Sequence, residues 1–400
     1  MPSAPPIGQL HQIQEMLIQL AESVSDADCH QQFHPELASI GWYLARSVYL
    51  ETYLIREVVQ HDDSMTARVR HLFGHDVTAD TDILAQLPPK EHLLNWAMEL
   101  QEENLTRLAN PDLLGEHPQL DVRWLSSYLL QSHARSYEQI LMVLQARSIQ
   151  QIGNDFMVTM ELLPKLSEPA STHISQGHYR IGARQDEVVF DSEQPAQMVE
   201  LSNYRIAVNP VSNADYLTFM RDDGYLNADY WSEAGWQWAS ASAQQPWHWK
   251  QNRNGLWFAI GLNGPGELVA DQPVMGINQY EAEAFCHWLG KQHDSYHGAV
   301  LQHEYQWEIA ARLGVLENTG RVREWTSSPF SPYPDYQKPA IEELACADFD
   351  DRHFTLRGVS LHSQPGIRRT SLRTPALPHQ QHLLSGARLV FPPGKPFWEQ

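Results

Sequence analysis

The chain has 400 residues, 42% hydrophobic and 19% charged, so it can bury more than one core and is neither disordered nor fibrous in composition. Lys+Arg 28 against Asp+Glu 49 give a formal charge of −21, which repels polyanions and excludes nucleic acid and anionic membranes as expected partners. There is no secretory pattern at the start and no apolar run of about eighteen residues, so a cytoplasmic protein is expected.

The three cysteines, Cys29, Cys286 and Cys346, are widely separated and form no C-x-x-C pair, so no disulfide is expected. The 20 histidines are scattered, and none falls in an H-E-x-x-H or zinc-finger spacing. In chain order, Leu10, Ile13, Leu17 and Leu20 give residues 8–24 helical spacing. A second helix is expected after His34-Pro35, with proline in its first turn, running through Trp42, Tyr49 and Leu54 to Val59. Residues 62–89 read as a connection with a short helical stretch at 67–73. Lys90 to Ala109 carries Leu93, Leu94, Ala97, Leu100 and Leu105 and is closed by Asn110-Pro111.

Asp121 suits the N-cap of a fourth helix running to Gln151. Its stripe reads Leu125, Leu129, Ser132, Ser136, Ile140 and Val143, so two serines interrupt an apolar face. Small residues at such places permit close helix packing and bond back to the preceding turn. The stretch from Tyr128 to Leu144 also has the look of a site whose ligands have been removed. Four striped helices predict an antiparallel bundle over residues 1–155. Residues 156–176, with Pro164 and Pro169, predict a linker. Residues 177–400 predict an irregular α+β domain of short strands, with one or two helices, notably Gln279 to Lys291. Trp231, Trp236, Trp238, Trp247, Trp249 and Trp257 would either build its core or line a cleft.

The second half carries a set of phrases in a fixed order: Gly177-His-Tyr-Arg-Ile-Gly182, Asn209-Pro-Val-Ser-Asn213, Gly235-Trp-Gln-Trp238, Gln272-Pro-Val-Met-Gly276, Gln306-Trp-Glu-Ile-Ala-Ala311, Arg323-Glu-Trp-Thr-Ser-Ser328 and Leu356-Arg-Gly-Val-Ser360. Together they resemble the formylglycine-generating (sulfatase-modifying) enzyme domain, an irregular α+β fold of C-type-lectin-like kind. The first half resembles the DinB-like helical bundle. The pair is similar to the ergothioneine, ovothiol and selenoneine type of sulfoxide synthase. That resemblance implies a non-haem iron enzyme joining a thiol or selenol to a histidine derivative with dioxygen. It also implies iron held by three bundle histidines and a substrate pocket supplied mostly by the second domain.

The family's second-helix motif, H-P-x-L-S-P-I-G-W-H-L-G-H, aligns without a gap on His34-Pro-Glu-Leu-Ala-Ser-Ile-Gly-Trp-Tyr-Leu-Ala-Arg46. Arg46 then stands at the first iron ligand, where a guanidinium has no lone pair to donate. Anchoring the family's Q-H-x-x-Q-H-Y-E on Gln131, Tyr137-Glu138 and Leu141-Met-Val-Leu144 puts Ser132 and Ser136 at the other two. A one-residue slip would put His133 and Tyr137 there, at the cost of the gapless match and of moving Arg135 toward the core. Arg46 reads equally as a surface cation, as a partner of Glu51 or Glu138, or as a guanidinium filling the old metal cavity. His30 and His34 would form a relocated site only in a helical stretch, which Pro35 opposes.

Further departures are Arg321 and Arg323 in Gly320-Arg-Val-Arg-Glu-Trp-Thr326, Leu361 after Ser360, and Arg369-Thr-Ser-Leu-Arg-Thr374. The resemblance therefore leads to an expected pseudoenzyme: an iron-free member that binds or regulates, with no cofactor, a small anionic or amino-acid-like ligand, and an active paralogue as a conceivable partner. Its candidate cleft comprises Tyr43, Glu138, Arg321, Arg323, Trp325, Arg357 and Arg373. The alternative is an active enzyme with iron(II) in a displaced site, for which His133, His34 and His30 are the available imidazoles. Cys286 and Cys346 are the available nucleophiles, with no role assigned by the resemblance.

Overall fold

The computed structural model describes residues 4–74, 81–168, 170–242, 244–292, 296–346 and 348–393. Residues 75–80 of the expected connection and Pro169 of the expected linker lie outside the described residues. The chain divides into two compact units, Met1–Gln151 with Ser363–Ile367, and Ile152–His362 with Arg368–Gln400.

The first unit contains helices α1 (Ile7–Glu22), α2 (Asp26–His30), α3 (Ile40–Thr52), α4 (Arg70–Phe73), α5 (Thr81–Leu84), α6 (Lys90–Ala109), α7 (Pro111–Leu114) and α8 (Val122–Gln151). The four long ones form a bundle in which α1 and α3 are each flanked by α6 and α8. The expected first, third and fourth helices fall within two residues of their observed bounds. Asp121 caps α8, its Oδ1 accepting from Trp124 N at 2.7 Å.

The second helix starts later than its proline suggested. Residues 33–39 are non-helical, and the Ser39 hydroxyl opens α3 by accepting from Trp42 N at 3.3 Å. The residue before a proline is pushed out of the helical region, so His34-Pro35 sits in a turn ahead of the helix. Past Thr52 the helix widens into a π-helical segment, Tyr53–Val59, that completes the expected length.

The returning segment Ser363–Ile367 lies on α8. A Cβ on Gly366 would meet Leu130 Cγ at 2.9 Å and the Leu130 carbonyl oxygen at 3.4 Å, so only glycine lets this backbone lie against the helix. Ser363 Oγ donates to Glu138 Oε1 at 2.5 Å.

The second unit has β1 (Ser171–Ile174), β2 (Gly177–Ile181), β3 (Gln197–Leu201), β4 (Tyr204–Ala207), α9 (Asn213–Arg221), α10 (Glu233–Ala241), β5 (Trp249–Gln251), β6 (Trp257–Gly261), β7 (Gly264–Gly266), α11 (Gln279–Leu289), β8 (Val300–Leu301), α12 (Glu304–Arg312), β9 (Arg323–Pro329), β10 (Phe354–Arg357), β11 (Arg373–Ala376), β12 (Ser385–Ala387) and β13 (Leu389–Phe391). The sheets run β1-β4-β13-β8, β11-β10-β9-β12, β5-β6-β7 and the hairpin β2-β3. Two expectations are corrected. β1 lies inside the span read as linker, pairing with β4 from Ser171 opposite Ala207. Helices α9, α10 and α12 join α11 where one or two helices were expected; each is so short that capping rather than periodicity marks it, as Ser212 and Asp215 do for α9.

The tryptophans mostly build core. Trp231 and Trp249 are buried with Tyr216, Phe219, Phe285, Trp288 and Trp325, while Trp236, Trp238 and Trp257 pack half-buried against them. The expectation that the cysteines form no disulfide matches three free thiols. Burial pushes the Cys29 thiol up to about 11, and burial raises Cys286 as well, so neither is an activated nucleophile. Among the described residues no helix is long and apolar enough to cross a membrane.

Candidate functional site

In the bundle, α3 sets the geometry. Trp42 Nε1 donates to the Leu72 carbonyl at 3.0 Å, and the buried Tyr43 hydroxyl accepts from Ala38 N at 3.3 Å. Arg46 is half-buried, its guanidinium carbon 5.6 Å from the centroid of Tyr49, a cation–π arrangement one turn along. Five residues further, about 140° around a helix of 3.6 residues per turn, Glu51 faces the bundle interior instead. It is fully buried and accepts from Gln14 Nε2 at 2.8 Å and pairs with His133 Nε2 at 3.0 Å.

On α8, Ser136 is buried and Ser132 half-buried, four residues apart and so on one face. His133, 100° from Ser132, is wholly buried against Glu51. The alternative register therefore points His133 at the far face of α3 from Arg46, and Arg135 is exposed rather than near the core. Glu51, one carboxylate considered for Arg46, is engaged by His133 and Gln14. His30 closes α2, with its ring nitrogens 2.8 Å from the carbonyls of Asp26 and Pro88, and His34 Nδ1 accepts from Glu36 N at 3.2 Å. The Gln14–Glu51–His133 array was not legible as such. Its trace in the sequence is a polar residue beside each apolar stripe.

In the second unit, most of the expected cleft residues lie within the core. Arg357 and Arg373 face each other across the β10–β11 register, a like-charge pair that needs carboxylates to exist. Glu304 and Glu308 on α12 supply them: Arg373 Nε and Nη2 bond Glu304 at 2.8 and 2.9 Å, and Arg357 Nη2 bonds Glu308 at 2.5 Å. Both guanidiniums also donate to carbonyls, Arg357 to Thr370 and Ser371 and Arg373 to Ser192 and Ser331. Trp325 is buried, its Nε1 on the Ile277 carbonyl at 2.8 Å. Arg323 is buried and bonds Thr374 Oγ1 at 2.8 Å, whereas Arg321 is exposed. These buried charges are held by carboxylates and carbonyls on the sheet's own side, and Arg357 Nε, which has no such partner, is itself fully buried.

Residues 158–319 match the family model of the sulfatase-modifying factor enzyme 1-like domain. A hercynine oxygenase of Mycolicibacterium smegmatis is 26% identical over 439 residues, covering 94% of this chain and 96% of that protein. The hercynine oxygenase of Mycobacterium tuberculosis is 26% identical over 53% of this chain, which spans 58% of that protein's length. The chain is thus similar to the sulfoxide synthase type of protein, and its residues 158–319 to a formylglycine-generating-enzyme-like domain. An inactive C-alpha-formylglycine-generating enzyme 2 of Mus musculus is also 27% identical over 40% of this chain.

The resemblance to sulfoxide synthases implies iron, and the chemistry of the residues at the aligned positions tests the fit. Iron(II) takes lone pairs from imidazole, carboxylate or thiolate. Arg46 offers a fixed positive charge and no lone pair, and Ser132 and Ser136 offer neutral hydroxyls. This donor set does not fit iron. Other residues that match the family's pattern are engaged within their own units: Trp42, Glu51 and Glu138 in the first, and in the second Trp325 and Trp307, whose Nε1 donates to Glu324 at 2.9 Å.

Proposed function

We propose that this chain is an iron-free, non-catalytic sulfoxide synthase relative with a DinB-like bundle, acting as a small-molecule-binding or regulatory protein. One feature of the sequence supports the reading: in the gapless match to the family's motifs, Arg46, Ser132 and Ser136 fall at the three positions where the family has iron-binding histidines. Arg46 held over Tyr49 gives the bundle a fixed cation, which suits an anionic or amino-acid-like ligand. The buried arginines Arg357 and Arg373 are engaged by carboxylates, so the reading does not rely on them.

The match to a protein named hercynine oxygenase over 94% of this chain favours a second reading, an active oxygen-dependent enzyme with a displaced iron site. Oxygen uptake separates the two. With iron(II) supplied anaerobically, then hercynine, a thiol or selenol and air, the first reading predicts uptake at the protein-free rate. Protein-dependent uptake with a sulfoxide or selenoxide product would overturn it.

A further inference from the structure

All four long helices of the bundle bury polar side chains that meet at one place. Gln14 on α1, Glu51 and Thr52 on α3, Asn104 on α6 and His133 on α8 are each at most 2% exposed. The consecutive pair on α3 receives the other three. Gln14 Nε2 donates to Glu51 Oε2 at 2.8 Å, His133 Nε2 joins the same oxygen at 3.0 Å, and Asn104 Nδ2 donates to Thr52 Oγ1 at 3.1 Å. Glu51-Thr52 is therefore a hub that ties α1, α6 and α8 to α3.

The hub is bonded only in part. Glu51 Oε1, Gln14 Oε1, Asn104 Oδ1 and His133 Nδ1 have no hydrogen-bond partner among the described residues. A buried network in that condition is a poorer source of stability than apolar packing of the same volume, so stability does not account for it.

Alignment does. Leu10, Ile13, Leu17 and Ala21 on α1 and Leu93, Ala97, Leu100 and Leu108 on α6 recur once or so per turn. Sliding a helix by one turn, about 5.4 Å, sets apolar residues against apolar residues again. The same slide parts the hub's hydrogen bonds and leaves the Glu51 carboxylate buried without its donors. In the structure α3 and α6 keep step: a Cβ on Gly41 would lie 3.1 Å from Leu93 Cδ2, and eleven residues further along both helices Thr52 meets Asn104. Thr52 is also the last residue of α3 before the π-helical segment, whose i→i+5 bonding changes the phase of every later residue.

We propose that the Glu51-Thr52 hub is a register lock. It selects one axial alignment of α1, α3, α6 and α8 among those the apolar stripes allow, and it does so at a cost in stability, as a lone polar residue does in a coiled-coil seam. The lock is independent of whether the chain binds iron or turns over a substrate.

Distances between spin labels on the full chain test it. Labels go on exposed positions, Gln12→Cys with Glu91→Cys and Glu91→Cys with Arg135→Cys, in a Cys346→Ser background that removes the half-buried thiol. Each pair is measured with the natural hub and with an apolar one, Gln14→Leu, Glu51→Leu, Thr52→Val, Asn104→Leu and His133→Leu. The natural hub should give one narrow distance for each pair. The apolar hub should keep its far-UV helicity and melt no lower, yet show a second population in at least one pair, displaced by up to one turn, about 5 Å. Glu51→Gln alone keeps an acceptor for His133 and should retain the single distance. Single narrow distances in the apolar variant would overturn the proposal, and so would a loss of helicity or a lower melting temperature, which would make the hub a source of stability instead.

Discussion

Replacing His133 with leucine should destabilise the bundle far more than removing His133 and Glu51 together. In the structure both side chains are wholly buried, joined at 3.0 Å, and Glu51 has one further donor, Gln14 at 2.8 Å. His133→Leu leaves a buried carboxylate with that single amide, and stripping one partner from a buried pair costs about 3–5 kcal/mol. Glu51→Leu instead leaves an imidazole and an amide nitrogen without acceptors, about 1–3 kcal/mol for each unmet group. In the double variant only Gln14 loses a partner and two leucines fill similar space, so its cost should be about 1–3 kcal/mol. Urea unfolding followed by far-UV circular dichroism measures all three, and the double-mutant cycle should give a coupling energy of about 2 kcal/mol or more. A double variant that loses the sum of the two single losses would refute the reasoning.

Arg373→Met should cost the second unit about 3–5 kcal/mol, because it leaves Glu304 buried beneath the sheet; urea unfolding followed by tryptophan fluorescence reads it, and a loss under about 1 kcal/mol would count against the buried-pair account. Burial pushes the Glu281 carboxyl up to about 7 from an ordinary 4.5, despite hydrogen bonds from Tyr225, Asn278 and Gln381. A raised carboxyl stabilises the fold fully below its unfolded value and loses that contribution as pH rises through the folded one. The unfolding midpoint should therefore fall between pH 4.5 and about 7 more steeply in the natural chain than in Glu281→Gln, and parallel profiles would contradict this. Gly276→Ala should fold poorly, since φ is +81° and the new Cβ would lie 2.1 Å from His248 Cδ2; a melting temperature within a degree or so of the natural chain's would show that the contact relaxes.

Long amphipathic helices were legible because many residues vote for one period: Leu93 to Leu108 fixed α6 to the residue, and Asp121 marked the start of α8. The start of α3 was misplaced because proline at a first turn and proline in a preceding turn look alike until Ser39 is seen to cap. In the second unit the ordered phrases located the domain, and Gly276 at the end of Gln272-Pro-Val-Met-Gly276 has a backbone that demands glycine. The phrases could not tell pocket from core. Arg357 and Arg373 read as cleft cations, and only the fold reveals Glu304 and Glu308 beside them, because ion pairs between a helix and a sheet leave no local spacing. For the same reason the Gln14–Glu51–His133 array, drawn from three helices, appears in sequence only as three unrelated polar residues.

The central claim, that the family's iron position has lost its donors at Arg46, Ser132 and Ser136, is tested most directly by metal stoichiometry. The full chain is loaded anaerobically with iron(II), desalted and analysed for metal beside the variant Arg46→His, Ser132→His, Ser136→His. The account predicts trace iron in the natural chain and a marked gain in the triple variant. Iron near one equivalent per natural chain would contradict it.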